Sequence, residues 1–134
     1  MYIPEPVKKP KKRAARSGAY IRESSIENFL VKCVEDTEAQ GFKGICEKHV
    51  SPGRRGAPDR LITWPWGTMD LAETKAPEGR LSESQKRDHA RRPVHVWRLW
   101  SKEQVAVFVW NRCEENYTKP PERILKHLPK AYGF

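Results

Sequence analysis

Two acidic residues and a lysine near the middle of the chain are of the types that support metal-assisted hydrolysis. Asp59 follows Pro58, and Glu73 and Lys75 come later, separated by one residue. Carboxylates are hard oxygen ligands, which Mg²⁺ accepts together with water and phosphate oxygens. A bound cation lowers the pKa of water, and a neighbouring ammonium can orient that water or stabilise charge growing on a phosphate. The three residues therefore suit hydrolysis of a phosphodiester.

The segment between these residues predicts a hairpin that would bring them together. Strand-like runs flank the turn sequence Pro65-Trp66-Gly67. If the hairpin turns about Trp66, Asp59 lies opposite Glu73, where facing side chains of an antiparallel pair are about 5 Å apart. Like charges at that distance repel each other, and a cation between them removes the repulsion. Alternation along the strand sets Lys75 on the face of Glu73. That face should continue as an apolar floor of Leu61, Thr63, Met69 and Leu71.

Periodicity and turn signals predict the elements around this hairpin. Apolar residues at helical spacing indicate a first helix that ends at Gly41, with Ser24 and Glu27 as a capping box. The other expected elements are a strand near 44–50, a polar helix at about 82–92, a strand at 94–99, a core helix from Ser101 with Gln104 in its capping box to about Trp110, and a short helix after Pro121. The order α-β-β-β-α-β-α predicts an α/β fold with a mixed central β-sheet flanked by helices.

The charge balance favours nucleic acid as a partner. The chain has 134 residues, with 26 Lys and Arg against 17 Asp and Glu, and a net charge of +9. An excess of this size is typical of proteins that bind a polyanion. No apolar run approaches the roughly 20 residues that span a bilayer, and no signal peptide is visible, so we expect a cytoplasmic protein without a membrane partner.

The basic residues are concentrated at the start of the chain. Residues 1–19 hold three prolines and an excess of five positive charges, which predicts a flexible basic arm that adds phosphate contacts. A nuclear localisation signal is the alternative for KKPKKR. Residues 20–134 should form one domain, with a short C-terminal extension from about residue 111. The three cysteines form no metal-binding pattern and are expected to be buried free thiols.

The motif residues resemble those of a known nuclease family. Pro58-Asp59 followed by Glu73-Thr74-Lys75 resembles the PD-(D/E)XK motif, and the flanking SPGRRGAPDRL and LSESQKR are similar to the virus-type replication-repair nuclease (VRR-NUC) family over about residues 20–109. The resemblance implies a restriction-endonuclease-like core and a structure-selective DNA endonuclease. It further implies dependence on Mg²⁺ or Mn²⁺ and hydrolysis by a metal-activated water. The expected substrates are branched DNA such as Holliday junctions or flaps, in viral replication, recombination or repair.

The same resemblance implies a role for each site residue. Asp59 and Glu73 would be metal ligands, with the main-chain carbonyl of Thr74 as a third, and Lys75 would be the catalytic lysine. Gln85 would hold the water or a phosphate. The acidic ligand of the first helix maps best to Glu23, with Glu27 as the alternative. The resemblance also implies a homodimer, in the host cell cytoplasm if the protein is viral.

Several other residues are candidates for contact with DNA. The basic candidates for phosphate binding are Lys48, Arg54, Arg55, Arg80 and Lys86. Trp64 and Trp66 at the hairpin tip could stack on bases, although packing in the core or at an interface is favoured. Two other functions are compatible with the composition. A non-catalytic nucleic-acid-binding module should have lost at least one of Asp59, Glu73 and Lys75, and a restriction-type endonuclease would usually need additional loops.

Overall fold

A mixed four-stranded sheet with helices packed on it forms the frame of the site. The computed structural model describes residues 21–49 and 55–132, so the proposed arm at 1–19 and Arg54 lie outside the described residues. The helices are α1 (Glu23–Glu35), α2 (Glu83–Arg91) and α3 (Lys102–Glu115), followed by 3₁₀ segments at Glu122–His127 and Lys130–Tyr132. The strands are β1 (Glu38–Ala39), β2 (Phe42–Lys43), β3 (Ile45–Lys48), β4 (Arg60–Thr63), β5 (Met69–Thr74) and β6 (Val96–Leu99).

The sheet has the strand order β3-β4-β5-β6, and β1 and β2 form a separate two-stranded ribbon. The pairs β3/β4 and β4/β5 are antiparallel, whereas β5 and β6 run parallel. Leu61 pairs with Leu71 and Thr63 with Met69, which is the register predicted for a hairpin centred on Trp66. The mixed sheet flanked by helices confirms the predicted fold class.

The two faces of the sheet are covered unequally. Cys46, Ile62, Ala72 and Leu99 lie on one face and belong to the core cluster that includes residues of α1 and α3. The predicted apolar floor lies on the other face. Leu61, Thr63 and Leu71 are only half-buried there, and Met69 is 57% exposed. The hydrophobic core is therefore on the side of the sheet opposite the floor.

The first helix begins and ends earlier than the sequence suggested. Its N-cap is Arg22, whose side chain makes no capping hydrogen bond, so the predicted capping box of Ser24 and Glu27 is wrong. Glu27 instead pairs with Arg60 on β4, with Nε and Oε2 2.8 Å apart. The helix ends at Glu35, and Gly41, at φ +85°, lies in the turn between β1 and β2 rather than at the helix end.

The last helix is longer than predicted. Ser101 caps α3 by accepting a hydrogen bond from the Gln104 backbone N–H, as expected. The Gln104 side-chain oxygen, however, accepts from Trp100 rather than Ser101, at 2.6 Å. The helix continues past Trp110 to Glu115 because its last turn still has a buried residue, Cys113. The extension expected from about residue 111 therefore begins inside this helix, and Ile124 beyond it is fully buried in the core.

Two further expectations concern the cysteines and the membrane. All three cysteines are buried free thiols, as predicted. Within residues 21–49 and 55–132, no helix is both long enough and apolar enough to cross a bilayer.

Candidate active site

The β4–β5 hairpin brings the two candidate acidic ligands together. Continuing its register by one residue sets Asp59 opposite Glu73, because Arg60 pairs with Ala72. On the other side of Asp59, its carbonyl accepts a hydrogen bond from the His49 backbone N–H at 2.8 Å, which continues the β3–β4 ladder. Asp59 is thus held between two neighbouring strands, and Glu73 at the end of β5 is 1% exposed.

The proximity of the two carboxyls has a large electrostatic effect. Burial, together with the charge of the neighbouring Asp59 carboxyl, raises the pKa of Glu73 to about 9, and Lys75 opposes the shift. Two neighbouring carboxylates, one of them buried, cannot both ionise easily. Without a cation, the pair therefore tends to retain a proton at neutral pH.

Gln85 holds Glu73 from the neighbouring helix. Ser82 and Gln85 form a complete capping box at the start of α2, which the LSESQ sequence signals. The Gln85 side-chain oxygen accepts from the Ser82 backbone N–H at 2.8 Å, and its amide nitrogen donates to Glu73 Oε2 at 2.9 Å. We expected this side chain to hold water or a phosphate, but both ends of its amide are engaged within the protein.

A glycine sets the distance between this helix and the Asp59 loop. Gly56 has φ +80°, and a Cβ built on it would lie 2.3 Å from the Ser84 carbonyl oxygen and 2.7 Å from the Gln85 nitrogen. Only glycine allows this close approach and this backbone conformation together. The loop before Asp59 therefore packs directly against the first turn of α2, where Gln85 is located.

His89 is a site residue that sequence reasoning missed. It is buried on α2 one turn after Gln85, and its Nε2 lies 3.7 Å from Glu73 Oε1. Its Nδ1 lies 3.2 Å from Nε of Arg98. Arg98 on β6 is the residue next to Glu73 in the register of the parallel strands β5 and β6. The sequence signal for His89 was its spacing of four residues from Gln85, because residues four apart lie on the same face of a helix.

The surroundings of the two carboxyls also include Lys75, Thr74 and the acids of α1. Lys75 is half-buried, and its charge opposes the rise in pKa of both Glu73 and Glu23, so it lies near both carboxyls. Partial desolvation raises the pKa of Glu23, and Asp59 raises it further. Glu27 is occupied by Arg60. Of the two candidate acids on α1, Glu23 is therefore the one electrostatically linked to the site.

The donor set fits a hard divalent cation. Glu73 Oε1 is buried and makes no hydrogen bond within the part of the chain that the structure describes. A buried carboxyl that lies beside a second one and has an oxygen left over in this way is stabilised by a bound cation. No group of three His, Cys, Asp or Glu side chains within residues 21–49 and 55–132 is arranged to hold a metal ion. The candidate side-chain donors that the hairpin brings together are Asp59 and Glu73, and the adjacent Thr74 carbonyl is a candidate backbone donor.

Comparisons with known proteins relate the chain to nucleases. No family model matches the chain. A phage protein named "Putative nuclease p44", from Acyrthosiphon pisum secondary endosymbiont phage 1, is 48% identical over 71 residues, which is 53% of this chain and 71% of the relative. A solved structure described as a VRR_NUC domain superposes with a TM-score of 0.55 and 26% identity, over 71% of this chain and 96% of the other. The chain belongs to the VRR-NUC family.

The basic candidates of this VRR-NUC chain are located on its surface. Lys48, Arg55, Arg80 and Lys86 are all exposed. Lys48 also lowers the pKa of Glu23 and approaches Glu27 at 3.9 Å, which places it beside the site. Lys86 pairs with Glu83 at 3.3 Å. The structure thus leaves these cations accessible to a polyanion.

The hairpin tryptophans pack against the protein. Trp64 is 1% exposed and donates from Nε1 to Asp70 at 2.7 Å. Trp66 stacks on Trp64 with ring centroids 5.2 Å apart and donates to the Thr68 hydroxyl. This agrees with the expected packing role.

Proposed function

We propose that this VRR-NUC protein is a DNA endonuclease that depends on Mg²⁺ or Mn²⁺. The observation that carries the proposal is the closeness of the half-buried Asp59 carboxyl to the buried Glu73 carboxyl, with one Glu73 oxygen lacking a partner among the described residues. An enzyme that had no use for a cation would gain stability by replacing one of these acids. The similarity to a phage protein named as a nuclease supports the same reaction class.

Each site residue has a distinct task in this proposal. Asp59, Glu73 and the Thr74 carbonyl would hold the cation, and Gln85 fixes the orientation of the Glu73 carboxylate. When bound, the cation would lower the pKa of water and offset negative charge on the phosphate. Glu23 is near enough to balance the charge of Lys75.

Lys75 is the proposed catalytic lysine. Its backbone N–H donates to the Leu99 carbonyl at 3.0 Å, so the end of β5 anchors it to β6. Its ammonium, close to the carboxyl pair, can orient the attacking water and stabilise charge on the phosphate oxygens. The cysteines are buried, and burial raises the pKa of Cys33 and Cys46 to about 12, so neither thiol serves as a nucleophile. The proposed reaction is direct attack by water without a covalent intermediate.

The substrate and assembly belong to the same proposal. The exposed cations near the site would bind the phosphates of branched DNA such as a Holliday junction or a flap, in viral replication, recombination or repair. Symmetrical cutting of a junction needs two active sites, which a homodimer with two-fold symmetry supplies. Residues 20–134 would act as one nuclease domain with the basic arm at 1–19.

Cleavage of labelled four-way junction, flap and duplex DNA tests the proposal. We expect cutting with Mg²⁺ or Mn²⁺, none with EDTA, and a loss of at least about a hundredfold in Asp59→Asn and in Lys75→Met, with DNA binding retained. Asp36→Asn and Lys43→Met are matched controls, because both residues lie outside the site. Binding without cutting by the wild type under every metal would show a non-catalytic module instead. Cutting that survives both site substitutions would show that the active site is elsewhere.

A further inference from the structure

The buried side chain of His89 is held between a guanidinium and the candidate metal ligand. Its side chain is 2% exposed, Nδ1 lies 3.2 Å from Arg98 Nε, and Nε2 faces Glu73 Oε1 at 3.7 Å. Both Nε2 of His89 and Oε1 of Glu73 are buried atoms without a hydrogen-bond partner in the described segments. Two such atoms that face each other indicate an interaction that is not fully formed.

Arg98 determines which nitrogen of His89 carries the proton. A guanidinium is always protonated and can only donate, so Nδ1 must accept the hydrogen bond from Arg98. A neutral imidazole has one N–H, which is then on Nε2 and points at Glu73.

We propose that His89, set in its Nε2–H tautomer by Arg98, is a positioning residue that donates to Glu73 Oε1 when Glu73 binds the cation. A movement of about 0.7 Å would bring the two atoms to ordinary hydrogen-bond distance. Gln85 already donates to the other oxygen. A carboxylate has about four acceptor sites, so these two bonds leave lone pairs for a metal. This role rests on the proposed function, in which Glu73 is a metal ligand.

Mn²⁺ binding measured by calorimetry without DNA tests this role apart from catalysis. We expect His89→Phe to weaken Mn²⁺ binding about tenfold or more, since loss of a group that holds a ligand typically costs 10- to 100-fold in metal affinity. His89→Gln restores a donor at the Nε2 position and should recover most of the loss. His95→Phe is the matched control, because His95 is exposed on the segment before β6, and it should bind as the wild type does.

Cleavage at increasing Mn²⁺ separates positioning from damage to the fold. The His89→Phe variant should need about tenfold more Mn²⁺ for half-maximal cutting and regain nearly the wild-type maximal rate when saturated. A variant that was simply misfolded would not be rescued by more metal. Arg98→Met should weaken Mn²⁺ binding by a smaller factor, because His89 is retained but its tautomer is no longer set.

Nitrogen-15 NMR of labelled histidine determines the tautomer of His89 in the metal-free protein. This measurement does not require the His89→Phe variant to fold. We expect His89 to carry its proton on Nε2 in the wild type and on a mixture of both nitrogens in Arg98→Met. An Nδ1–H form in the wild type would overturn the role of His89 whatever the metal data show.

The binding data separate the two ways in which this idea can fail. Wild-type Mn²⁺ affinity in a folded His89→Phe variant, or an equal loss in His89→Gln and His89→Phe, would overturn the positioning role and leave the metal site intact. A wild type that has the Nε2–H tautomer and binds no Mn²⁺ would overturn the metal site itself, and the role of His89 with it.

Discussion

At the scale of single residues, the molecule has a buried acid that is unfavourable in isolation. Glu73 is 1% exposed, and burial together with Asp59 raises its pKa to about 9. An acid whose pKa is higher in the folded than in the unfolded state stabilises the fold only while it is protonated. That stabilisation is complete below the unfolded-state pKa of about 4.3 and is lost as the pH rises through about 9.

Replacing Glu73 by glutamine should remove the contribution of this residue to the pH dependence of the free energy of unfolding. We expect the free energy of unfolding of the metal-free wild type to fall between pH 6 and pH 9, and that of Glu73→Gln to fall less, by up to about 4 kcal/mol. Urea denaturation at each pH measures both. Glu47→Gln is the control, because Glu47 is an exposed acid on β3 and should behave as the wild type does. Parallel pH curves for the wild type and Glu73→Gln would contradict the raised pKa.

At the scale of elements, the loop before β4 and the helix α2 meet through Gly56. The positive φ of Gly56 and the close Ser84 carbonyl oxygen, 2.3 Å from a Cβ built there, both exclude a side chain. The contact fixes the position of the Asp59 loop relative to Gln85. Because Gln85 donates to Glu73, it also fixes the loop relative to Glu73. A change at Gly56 should therefore affect stability and activity together.

An alanine at Gly56 is expected to cost more than the same change at another glycine of similar conformation. Gly41 has φ +85°, but a Cβ there would meet open space. Gly41→Ala should cost about 1 kcal/mol for the backbone alone, and Gly56→Ala about 1–3 kcal/mol more, because the loop or α2 must move. Thermal unfolding measures the difference, and the cutting rate of Gly56→Ala should fall at least about tenfold. Equal costs for the two variants would argue against the close contact.

A second junction of elements is centred on Asp70 of β5. Its carboxylate accepts hydrogen bonds from Trp64 at 2.7 Å, Trp97 at 3.1 Å and Arg112 at 2.8 Å. These donors lie after β4, on β6 and on α3, so one side chain joins the hairpin to the edge strand and the last helix. Removing the charge leaves buried donors without a full partner.

Loss of the Asp70 charge should destabilise the fold far more than loss of an exposed ion pair. We expect Asp70→Asn to lower the free energy of unfolding by about 2–4 kcal/mol. Asp36→Asn breaks the pair with Arg123, in which both side chains are about 40% exposed, and should cost less than about 1 kcal/mol. Chemical denaturation of both variants gives the comparison. Similar values would mean that the Asp70 cluster contributes no more than a surface pair.

At the scale of the whole molecule, the net charge of +9 is distributed unevenly along the chain. Residues 1–19 have an excess of five positive charges, more than half of the total. Each phosphate that a protein neutralises releases condensed counterions, so affinity falls with salt concentration in proportion to the number of contacts. The arm should therefore add affinity for DNA of any sequence.

Deletion of residues 1–19 tests this contribution. We expect weaker binding to duplex and junction DNA alike, and a plot of log affinity against log salt whose slope is shallower by up to about 4. Binding titrations at several salt concentrations measure the slope. A full-length variant with the six basic residues of the arm changed to serine should match the deletion. An unchanged slope would show that the arm makes no phosphate contacts.

Much of the fold and part of the site followed from local patterns. The hairpin register needed only the turn Pro65-Trp66-Gly67 and alternating residues, and it set Asp59 opposite Glu73. The ladder has a period of two, so the position of the turn defines every pair. The boundaries of α1 and α3 were predicted less well, because the caps depend on side chains from other elements, as when Arg60 engages Glu27.

The sequence by itself determined the residue types of the site, the hairpin that pairs its two acids, and the positive charge expected to attract DNA. Only the tertiary structure decided that Gln85 and His89 face Glu73, that Arg98 supports His89, and that Glu23 rather than Glu27 is electrostatically linked to the site. The physical reason is the range of the interactions. Local periodicity orients neighbours along one element, whereas burial, tautomer and pKa depend on side chains that meet across different elements.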